Sequence, residues 1–375
     1  MAQQYDDNFY IGAMQCIQDL GATTIRALIK NFGTPYLAWQ ALSDQDLLST
    51  IDSIGPKKKD FILKGATAAT LSNLEKALKQ FDITYITYLD DSFPSQLNDI
   101  YNPPAVLFAK GNIELLNKTN HHVAMVGARK CSDYAGNVAR KFSRDLARHD
   151  VVIISGGARG IDSLCHEGAL EGNGKTIAVM GCGLNQIYPK ENKKLFSSIL
   201  QFHGLLLSEY PPFTPPIGKN FPARNRIISG LSQAVIIVEA KASSGSLITA
   251  DMAINAGRDV YVIPGNVLSN QAEGNHWLLR QGAHILTKPT DLLDDYGWTK
   301  ERAIKNSDTN QCSMISFTLE ENRLLQALPT DCATTIDDLF IETRLPLTMI
   351  QSALVKFEIE QIIRRVGSRG YILCK

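Results

Sequence analysis

Three features that the 375-residue sequence lacks limit the kind of protein it can encode. Lys plus Arg and Asp plus Glu each number 38, so there is no net charge and any affinity for a polyanion must come from a local patch. No apolar run approaches ~20 residues, the length of a membrane-spanning helix. The first residues, MAQQYDDNFY, carry acid where a signal peptide needs lysine or arginine. We expect a soluble, unexported protein with no membrane partner.

Cysteine chemistry is equally restricted. The seven cysteines are scattered, odd in number and never spaced CxxC, which argues against both a disulfide framework and a zinc knuckle. A reducing cytoplasm fits this usage best. We expect a cytoplasmic protein that holds no metal and uses no cofactor.

The N-terminal part of the chain has a helical pattern. Apolar positions recur at helical spacing from residue 8 to residue 80, which predicts a small domain at 1–80. The Leu-Gly pair at 20–21 and the Ile-Gly pair at 54–55 each precede a helix start, as in a SAM-like or helix-hairpin-helix-like domain. Such a glycine turn can offer N–H groups to a phosphate. A helical packing module without a ligand is the simpler alternative.

Within a predicted domain at 81–296, residues 123–287 change to short β-branched runs that alternate with helical stretches. The runs are VAMVG, VVIISG, TIAVMG, GLLLSE, AVIIVE, DVYVIPG and AHILT. Near-continuous apolar strands between helices predict an α/β fold with a Rossmann-like, mainly parallel, doubly wound sheet. Upstream, ITYITYL and PPAVLFAKG are expected to add edge strands or a lead-in.

The polar stretch 297–313 lacks periodicity and is predicted to be a linker. After it, residues 314–375 show three helical patterns and then RRVGSRGYILC, which predicts two short strands around a glycine turn. This order is typical of a winged helix, a fold that often contacts DNA with its last helix. Residues 316–375, however, hold seven Lys or Arg against eight Asp or Glu, which favours a protein-contact or structural role.

Three predicted strands end directly in glycine. Gly127 lies in VGARK, Gly156 in SGGARGID and Gly181 in GCGLNQ. Ligands of an open α/β sheet bind beyond the carboxyl ends of its strands, where helix N-termini favour anions and glycine allows a close approach. Because Arg129 and Arg159 follow two of these turns, the pattern predicts an extended phosphate-binding rim.

Two nucleotide-binding motifs are nearly present. GALEGNGKT has five residues rather than four between Gly168 and Gly174, and it precedes a predicted strand whereas a P-loop follows one. GCGLNQ has Gln186 at the third glycine position of a dinucleotide fingerprint. The sequence therefore argues against an ATPase and favours a ligand with more phosphates than a dinucleotide has.

Five polar side chains near predicted strand ends could form a hydrolase site acting on a nucleotide glycosidic bond. They are Ser155, Asp162, His166, Glu209 and Glu239. In the simpler alternative Asp162 caps a helix and His166 hydrogen-bonds locally. No GxSxG or HExxH motif and no paired carboxylates at short spacing are present, which favours the simpler alternative.

The segment FPARNR, residues 221–226, places a phenylalanine and two arginines ahead of a predicted buried strand. Arginine binds phosphate through two parallel hydrogen bonds, and an aromatic face stacks on an unpaired base. The combination predicts single-stranded nucleic acid at the same rim. In the alternative, Arg224 or Arg226 pairs internally with Glu209 or Glu239. For one of the two arginines, the sequence favours an internal ion pair and a phosphate contact equally.

Seven segments between roughly 85 and 290 then carry a resemblance to a known family. They are VGARKCSDYAG, SGGARGIDSLCHEGAL, GCGLNQIYPKEN, LLLSEYPP, FPARNRIISGLS, EAKASSGSLITADMAINAGRDVYVIPG and EGNHWLLRQGAHIL. Their order resembles that of the DNA-processing protein A family, also called DprA or Smf. The resemblance implies a homodimeric bacterial protein, not an enzyme, that binds and protects single-stranded DNA and helps load RecA recombinase onto it in natural transformation.

The resemblance also implies which residues bind DNA. The groove would consist of the glycine turns, the segment around FPARNR and a strand-to-helix turn that matches SGSLxTA. These residues are Gly127, Arg129, Ser155, Gly156, Gly157, Arg159, Lys219, Phe221, Arg224, Asn225, Arg226, Ser244, Gly245, Ser246 and Thr249. The alternative is a nucleoside-monophosphate phosphoribohydrolase of the lysine-decarboxylase-like group, which shares the sheet architecture but carries PGGxGTxxE where this chain has SSGSLITA.

Overall fold

The computed structural model describes residues 5–49, 51, 54–298, 318–329, 333–359, 362–366 and 370–373. The chain divides into two compact units, Met1–Lys300 and Glu301–Lys375. The first unit begins with six helices: α1 Asp7–Gln15, α2 Ala22–Phe32, α3 Pro35–Ser43, α4 Gln45–Ser49, α5 Pro56–Gly65 and α6 Ala68–Phe81. Helices α2 and α5 start directly after Gly21 and Gly55, as the two glycine pairs predicted.

The six helices form one apolar core, and this core continues into the sheet. Ile11, Met14, Ile25 and Leu42 are fully buried in it, together with Phe108 of the second strand. Because the sheet supplies part of this core, the N-terminal helices belong to the same compact unit as the sheet. Among the described residues, no helix combines the length and the apolarity that crossing a bilayer requires.

Nine strands form one sheet in the order β1-β2-β6-β5-β4-β3-β7-β8-β9. They are β1 Thr84–Thr87, β2 Val106–Gly111, β3 His121–Val126, β4 Val151–Ser155, β5 Thr176–Met180, β6 Leu205–Ser208, β7 Ala234–Ile237, β8 Asp259–Val262 and β9 His284–Ile285. Strands β3 to β9 are mutually parallel, whereas β1 and β2 add an antiparallel edge. The predicted parallel sheet and its edge strands are confirmed.

Helices cover both faces of the sheet. They are α7 Asp133–Ala147, α8 Ile161–Glu171, α9 Lys193–Gln201, α10 Asn220–Leu231, α11 Gly245–Asn255, α12 Glu273–Arg280 and α13 Pro289–Asp295. Along β3, Ala124 and Val126 pack in the core that contains α10, α11 and α12, whereas Val123 and Met125 pack in the core that contains α7, α8 and α13. Strand residues that alternate between two buried layers produce the doubly wound, Rossmann-like architecture.

The second unit is small. It contains α14 Leu319–Ala327, β10 Thr334–Thr335, α15 Ile336–Thr343, α16 Leu347–Ile359, β11 Ile363–Val366 and β12 Gly370–Leu373, and its sheet is antiparallel in the order β10-β12-β11. Leu339, Ile350, Leu354 and Phe357 fill its core. The predicted linker at 297–313 lies outside the described residues from position 299 onward.

Candidate nucleic-acid interface

Glycines terminate the central strands because neighbouring side chains occupy the space that a Cβ would need. Gly127, Gly156 and Gly181 directly follow β3, β4 and β5, which confirms that they lie along one edge of the sheet. A Cβ on Gly156 would lie 2.6 Å from an Nη of Arg224, and a Cβ on Gly181 would lie 2.8 Å from the Phe221 ring. These glycines therefore let helix α10 approach the strand ends.

A cleft of about 360 Å³ opens beside the adjacent ends of β3 and β7. The chain leaves β3 toward β4 on one side and later returns to β7 on the other, so this is the topological switch point at which α/β proteins bind ligands. The cleft is lined by the turn after β3, the start of α10 and the start of α11. Its polar and basic lining residues include Arg129, Lys130, Asp162, Asn225, Lys241, Ser243, Ser244, Ser246 and Thr249.

Phe221 lies beside two guanidinium groups in this cleft. The Cζ atoms of Arg129 and Arg224 each lie 6.0 Å from the centroid of its ring. The ring of Tyr188, which is 39% exposed, lies 5.2 Å away at a tilt of 45°. Arg129 is exposed. Aromatic rings beside a solvent-accessible cation are the combination that unpaired bases and their phosphates require.

Arg224 is buried beneath that ring and ties two strands together. Its Nη1 donates hydrogen bonds to the carbonyl oxygens of Gly156, at 2.7 Å, and Val179. Burial lowers the pKa of Arg224 to about 10, so the guanidinium stays charged at neutral pH. Burial raises the pKa of the Asp162 carboxyl, and the charge of Arg224 opposes that rise. Arg224 thereby fixes the ends of β4 and β5 relative to α10.

Arg226 points to the other side of α10. Its Nη2 lies 2.6 Å from Oε1 of Glu209, with side chains that are 6% and 8% exposed, and its Nε donates to the Asn102 carbonyl at 2.9 Å. The internal ion pair that was the alternative for one of the two arginines is confirmed for Arg226. Arg226 is also not among the lining residues of the cleft, unlike Arg224.

The start of α11 forms the opposite wall of the cleft. Ser244 precedes the helix, and its Oγ accepts a hydrogen bond from the backbone N–H of Ser246 at 3.2 Å. Gly245 is exposed, and Thr249 lies one turn further along the same wall. The first N–H groups of a helix and its dipole attract an anion, which suits a phosphate at this wall.

Four other predicted residues lie around the cleft. Gly157 and Arg159 line a smaller hollow of about 50 Å³ that shares Phe221 with the cleft. Arg159 is exposed and forms a surface ion pair with Glu191 at 2.6 Å. Lys219 is exposed immediately before α10. Ser155 is fully buried, and its hydroxyl donates to a backbone carbonyl at 2.7 Å, so this side chain is not presented to a ligand.

The sequence patterns do not single out Lys130, Lys241 and Tyr188 as site residues. All three are exposed, both lysines line the cleft, and Tyr188 contacts Phe221. The position of the two lysines could have indicated the site, because Lys130 and Lys241 follow the ends of β3 and β7 within four residues.

Each of the five side chains that could have formed a hydrolase site makes an internal bond. Ser155 bonds to the Met125 carbonyl, Asp162 to the Ala158 N–H, His166 to the Thr176 hydroxyl, Glu209 to Arg226 and Glu239 to the Ser132 N–H and hydroxyl. The local hydrogen bond predicted for His166 is thus confirmed, and burial lowers the pKa of its imidazole to about 3. In the described residues, no group of three or more His, Cys, Asp or Glu side chains could hold a metal ion.

The fold and the cleft together define a Rossmann-like α/β protein whose switch-point cleft is lined by basic, polar and aromatic side chains. The family model for DNA recombination-mediator protein A matches residues 84–297, a range that includes the whole nine-stranded sheet. The chain belongs to this family of DNA-processing proteins, as the seven sequence segments predicted.

Relatives agree with this assignment. The DNA processing protein DprA of Streptococcus pneumoniae is 45% identical over 225 residues, which cover 60% of this chain and 78% of the relative. The X-ray structure of DprA from that species has a TM-score of 0.65 at 35% identity and covers 78% of this chain and 99% of its own. The structure of DNA processing protein A from Helicobacter pylori, described for its single-stranded DNA binding mode, has a TM-score of 0.51 at 32% identity and covers 57% of this chain and 95% of its own.

Proposed function

We propose that this protein binds and protects incoming single-stranded DNA and loads RecA recombinase onto it in natural transformation and recombination. The observation that carries the proposal is Phe221, whose ring lies in the switch-point cleft beside exposed Arg129 and partly exposed Tyr188. In duplex DNA the bases are stacked and paired and cannot reach such a ring, whereas single strands can place both a base and its phosphates there. The relative from Helicobacter pylori supports the same ligand.

Within the proposed site the residues fall into three roles. Phe221 and Tyr188 stack on bases. Phosphates contact the exposed cations, the cap residue of α11 and the first residues of α11, which are Arg129, Lys130, Arg159, Lys219, Lys241, Ser244, Gly245, Ser246 and Thr249. Gly127, Gly156 and Gly157 allow the close approach. The buried Arg224 and Arg226 hold α10 in place, Asn225 accepts a hydrogen bond from Arg224, and the buried Ser155 ties the end of β4 to β3.

The protein acts without catalysis in this proposal. The internal bonds of Ser155, His166, Glu209 and Glu239 support this, because a glycosidic hydrolase needs two carboxyl groups that face its substrate. Asp162 lines the cleft, but it is 7% exposed, accepts a hydrogen bond from the Ala158 N–H, and has neither Glu209 nor Glu239 beside it in the cleft lining. The test is a base-release assay with purified protein and nucleoside monophosphates. Release of base above background would favour the phosphoribohydrolase instead.

The proposed protein is a cytoplasmic homodimer with two flanking domains. Strand β9 is the last strand of the sheet and pairs with β8, and Ile285 in it is 57% exposed, so the outer edge of β9 can receive a second copy. We assign 1–80 as a SAM-like or helix-hairpin-helix-like domain, 81–296 as the DNA-binding domain, 297–313 as the linker and 314–375 as a winged helix. The helix and strand order of the second unit supports the last assignment.

The decisive experiment compares single-stranded and double-stranded oligonucleotides of the same sequence by fluorescence anisotropy at two salt concentrations. Tighter binding of the single strand, with an affinity that falls as salt rises, is expected because phosphate contacts release counterions. RecA loading is tested separately, as the rate at which RecA nucleates on single strands already covered by a single-strand-binding protein. Equal affinity for both DNA forms would contradict the proposed stacking site.

A further inference from the structure

Helices α15 and α16 of the second unit expose an unusual amount of apolar surface. Phe340 and Ile341 on α15 are 44% and 72% exposed, and Leu347, Met349 and Val355 on α16 are 45%, 39% and 57% exposed. Both helices bury their other faces in the core of the unit, through Leu339 on α15 and through Ile350, Ala353, Leu354 and Phe357 on α16. The exposed side chains are therefore additional to the residues that hold the unit together.

The charges on these two helices do not suit DNA. The outward positions of α16 include Thr348, Gln351, Ser352 and Val355, none of which is cationic. The cation of α16, Lys356, is only part-exposed and lies 2.9 Å from a carboxylate oxygen of Glu321. A helix that binds DNA needs cations for the phosphates, since these supply most of the affinity.

Acidic residues lie beside the apolar positions of α15 instead. Asp337 and Asp338 lie one turn before Ile341 on α15, so all three share a face of the helix, and Glu342 directly follows Ile341. These three acids are exposed, and Arg344 is the exposed cation in the turn after them. The surface thus combines large apolar side chains with a negative rim.

We propose that the surface formed by Phe340, Ile341, Leu347 and Val355 docks an amphipathic helix of a protein partner whose apolar stripe is flanked by lysine or arginine. An apolar stripe with anchors three or four residues apart fits a surface made by two packed helices, and the basic flanks meet Asp337 and Glu342. A second copy of the same surface fits less well, because its acids would then face acids. The residues of this docking surface belong to the second unit, whereas the proposed DNA contacts belong to the first.

The experiment uses the full-length protein and a synthetic 18-residue helical peptide with leucines at i, i+3, i+4 and i+7 and lysines on both flanks. Two control peptides have glutamate in place of lysine, or the same residues in scrambled order. The protein variants are Ile341→Ser/Val355→Ser, which removes apolar anchors, and Asp337→Asn/Glu342→Gln, which removes charge. The matched control is Leu47→Ser/Leu89→Ser, at positions in the first unit that are 46% and 48% exposed.

The basic peptide is expected to bind the wild type and the matched control equally. The apolar double variant should weaken it about tenfold or more, since two anchors lose most of their buried area. The charge variant should weaken it about two- to fivefold at low salt and less at high salt. The glutamate peptide and the scrambled peptide should bind more weakly than the basic peptide. If the serine variant is unstable, these peptides and the Asp337→Asn/Glu342→Gln variant still test the proposal.

Three results would overturn the proposal. The first is peptide binding that is absent, or equal in the wild type and both variants. The second is a change of oligomeric state in the apolar variant, measured by sedimentation, which would mean that a second copy of the chain covers the surface. The third is a loss of single-stranded DNA affinity in the same variant, which would mean that the surface contacts nucleic acid.

Discussion

Arg226 Nη2 and Glu209 Oε1 lie 2.6 Å apart in a buried ion pair, whereas Arg224, two residues earlier on the same helix, lines the switch-point cleft. Neither guanidinium is exposed, since Arg224 and Arg226 are 4% and 5% accessible. The two arginines therefore hold the start of α10 through different contacts. Arg224 bonds to the strand ends, and Arg226 bonds to Glu209.

Replacing Arg226 by alanine should destabilise the fold and leave DNA binding by the folded protein unchanged. The substitution leaves the Glu209 carboxylate buried without its partner, which typically costs about 3–5 kcal/mol. Urea unfolding measures this loss, and adding Glu209→Gln to the alanine variant should recover part of it. A folded variant with reduced single-strand affinity and a smaller salt slope would instead mean that Arg226 contacts phosphate.

Replacing Arg129 by alanine should weaken binding to all single-stranded sequences alike. Because each phosphate contact on a single strand contributes about 0.7 to the slope of log K against log salt, losing one should reduce the slope by about that amount. Arg148→Ala is the matched control, since this arginine is 59% exposed and lies just before β4, at the opposite edge of the sheet. An unchanged slope in Arg129→Ala would remove this arginine from the interface.

Replacing Phe221 by alanine should lower single-strand affinity without changing its salt dependence, unlike Arg129→Ala. Loss of one stacked base is expected to cost about 1–3 kcal/mol while the salt slope stays nearly the same. Tyr188→Ala should show a smaller loss of the same kind, because its ring is tilted against Phe221 and only partly exposed. Phe202→Ala, at an exposed position before β6, is the control. Wild-type affinity in Phe221→Ala would place the DNA elsewhere.

The sequence predicts the sheet well because buried parallel strands are continuous β-branched runs, and it predicts the edge glycines because strand ends share one edge. It does not show which way each arginine of FPARNR points. On helix α10, Phe221, Arg224 and Asn225 are three and four residues apart and share one face, which the cleft confirms. Arg226 is five residues from Phe221 and turns away, a difference that only the helix assignment reveals.

His166 should make stability depend on pH below neutrality. Burial lowers the pKa of the folded imidazole from its ordinary value of 6.5 to about 3, so between these values the unfolded chain binds the extra proton. The stabilisation is complete above pH 6.5 and is lost progressively as pH falls toward 3.

The measurement for His166 is the free energy of unfolding at pH 7 and pH 5. One such histidine accounts for a loss of about 2 kcal/mol over this range, given an unfolded pKa near 6.5. His166→Asn cannot ionise and can still bond to Thr176. Its free energy of unfolding should therefore fall by about 2 kcal/mol less than that of the wild type between pH 7 and pH 5, whatever its absolute stability. Equal pH slopes in the two proteins would contradict the neutral buried imidazole.

Removing the second unit should leave single-strand affinity nearly intact. The proposed DNA contacts all lie in the first unit, Met1–Lys300, and residues 316–375 carry seven Lys or Arg against eight Asp or Glu, which leaves no cationic excess for phosphates. The chain should therefore be truncated at about residue 305, and its folding and oligomeric state checked before titration. We expect a change in Kd of less than about threefold and an unchanged salt slope, since a loss of even one phosphate contact would lower the slope by about 0.7.

If Arg364, Arg365 and Arg369 act as a separate phosphate patch, the truncated protein will lose affinity and the slope will fall. A triple alanine variant of these arginines in the full chain then distinguishes lost contacts from a lost domain.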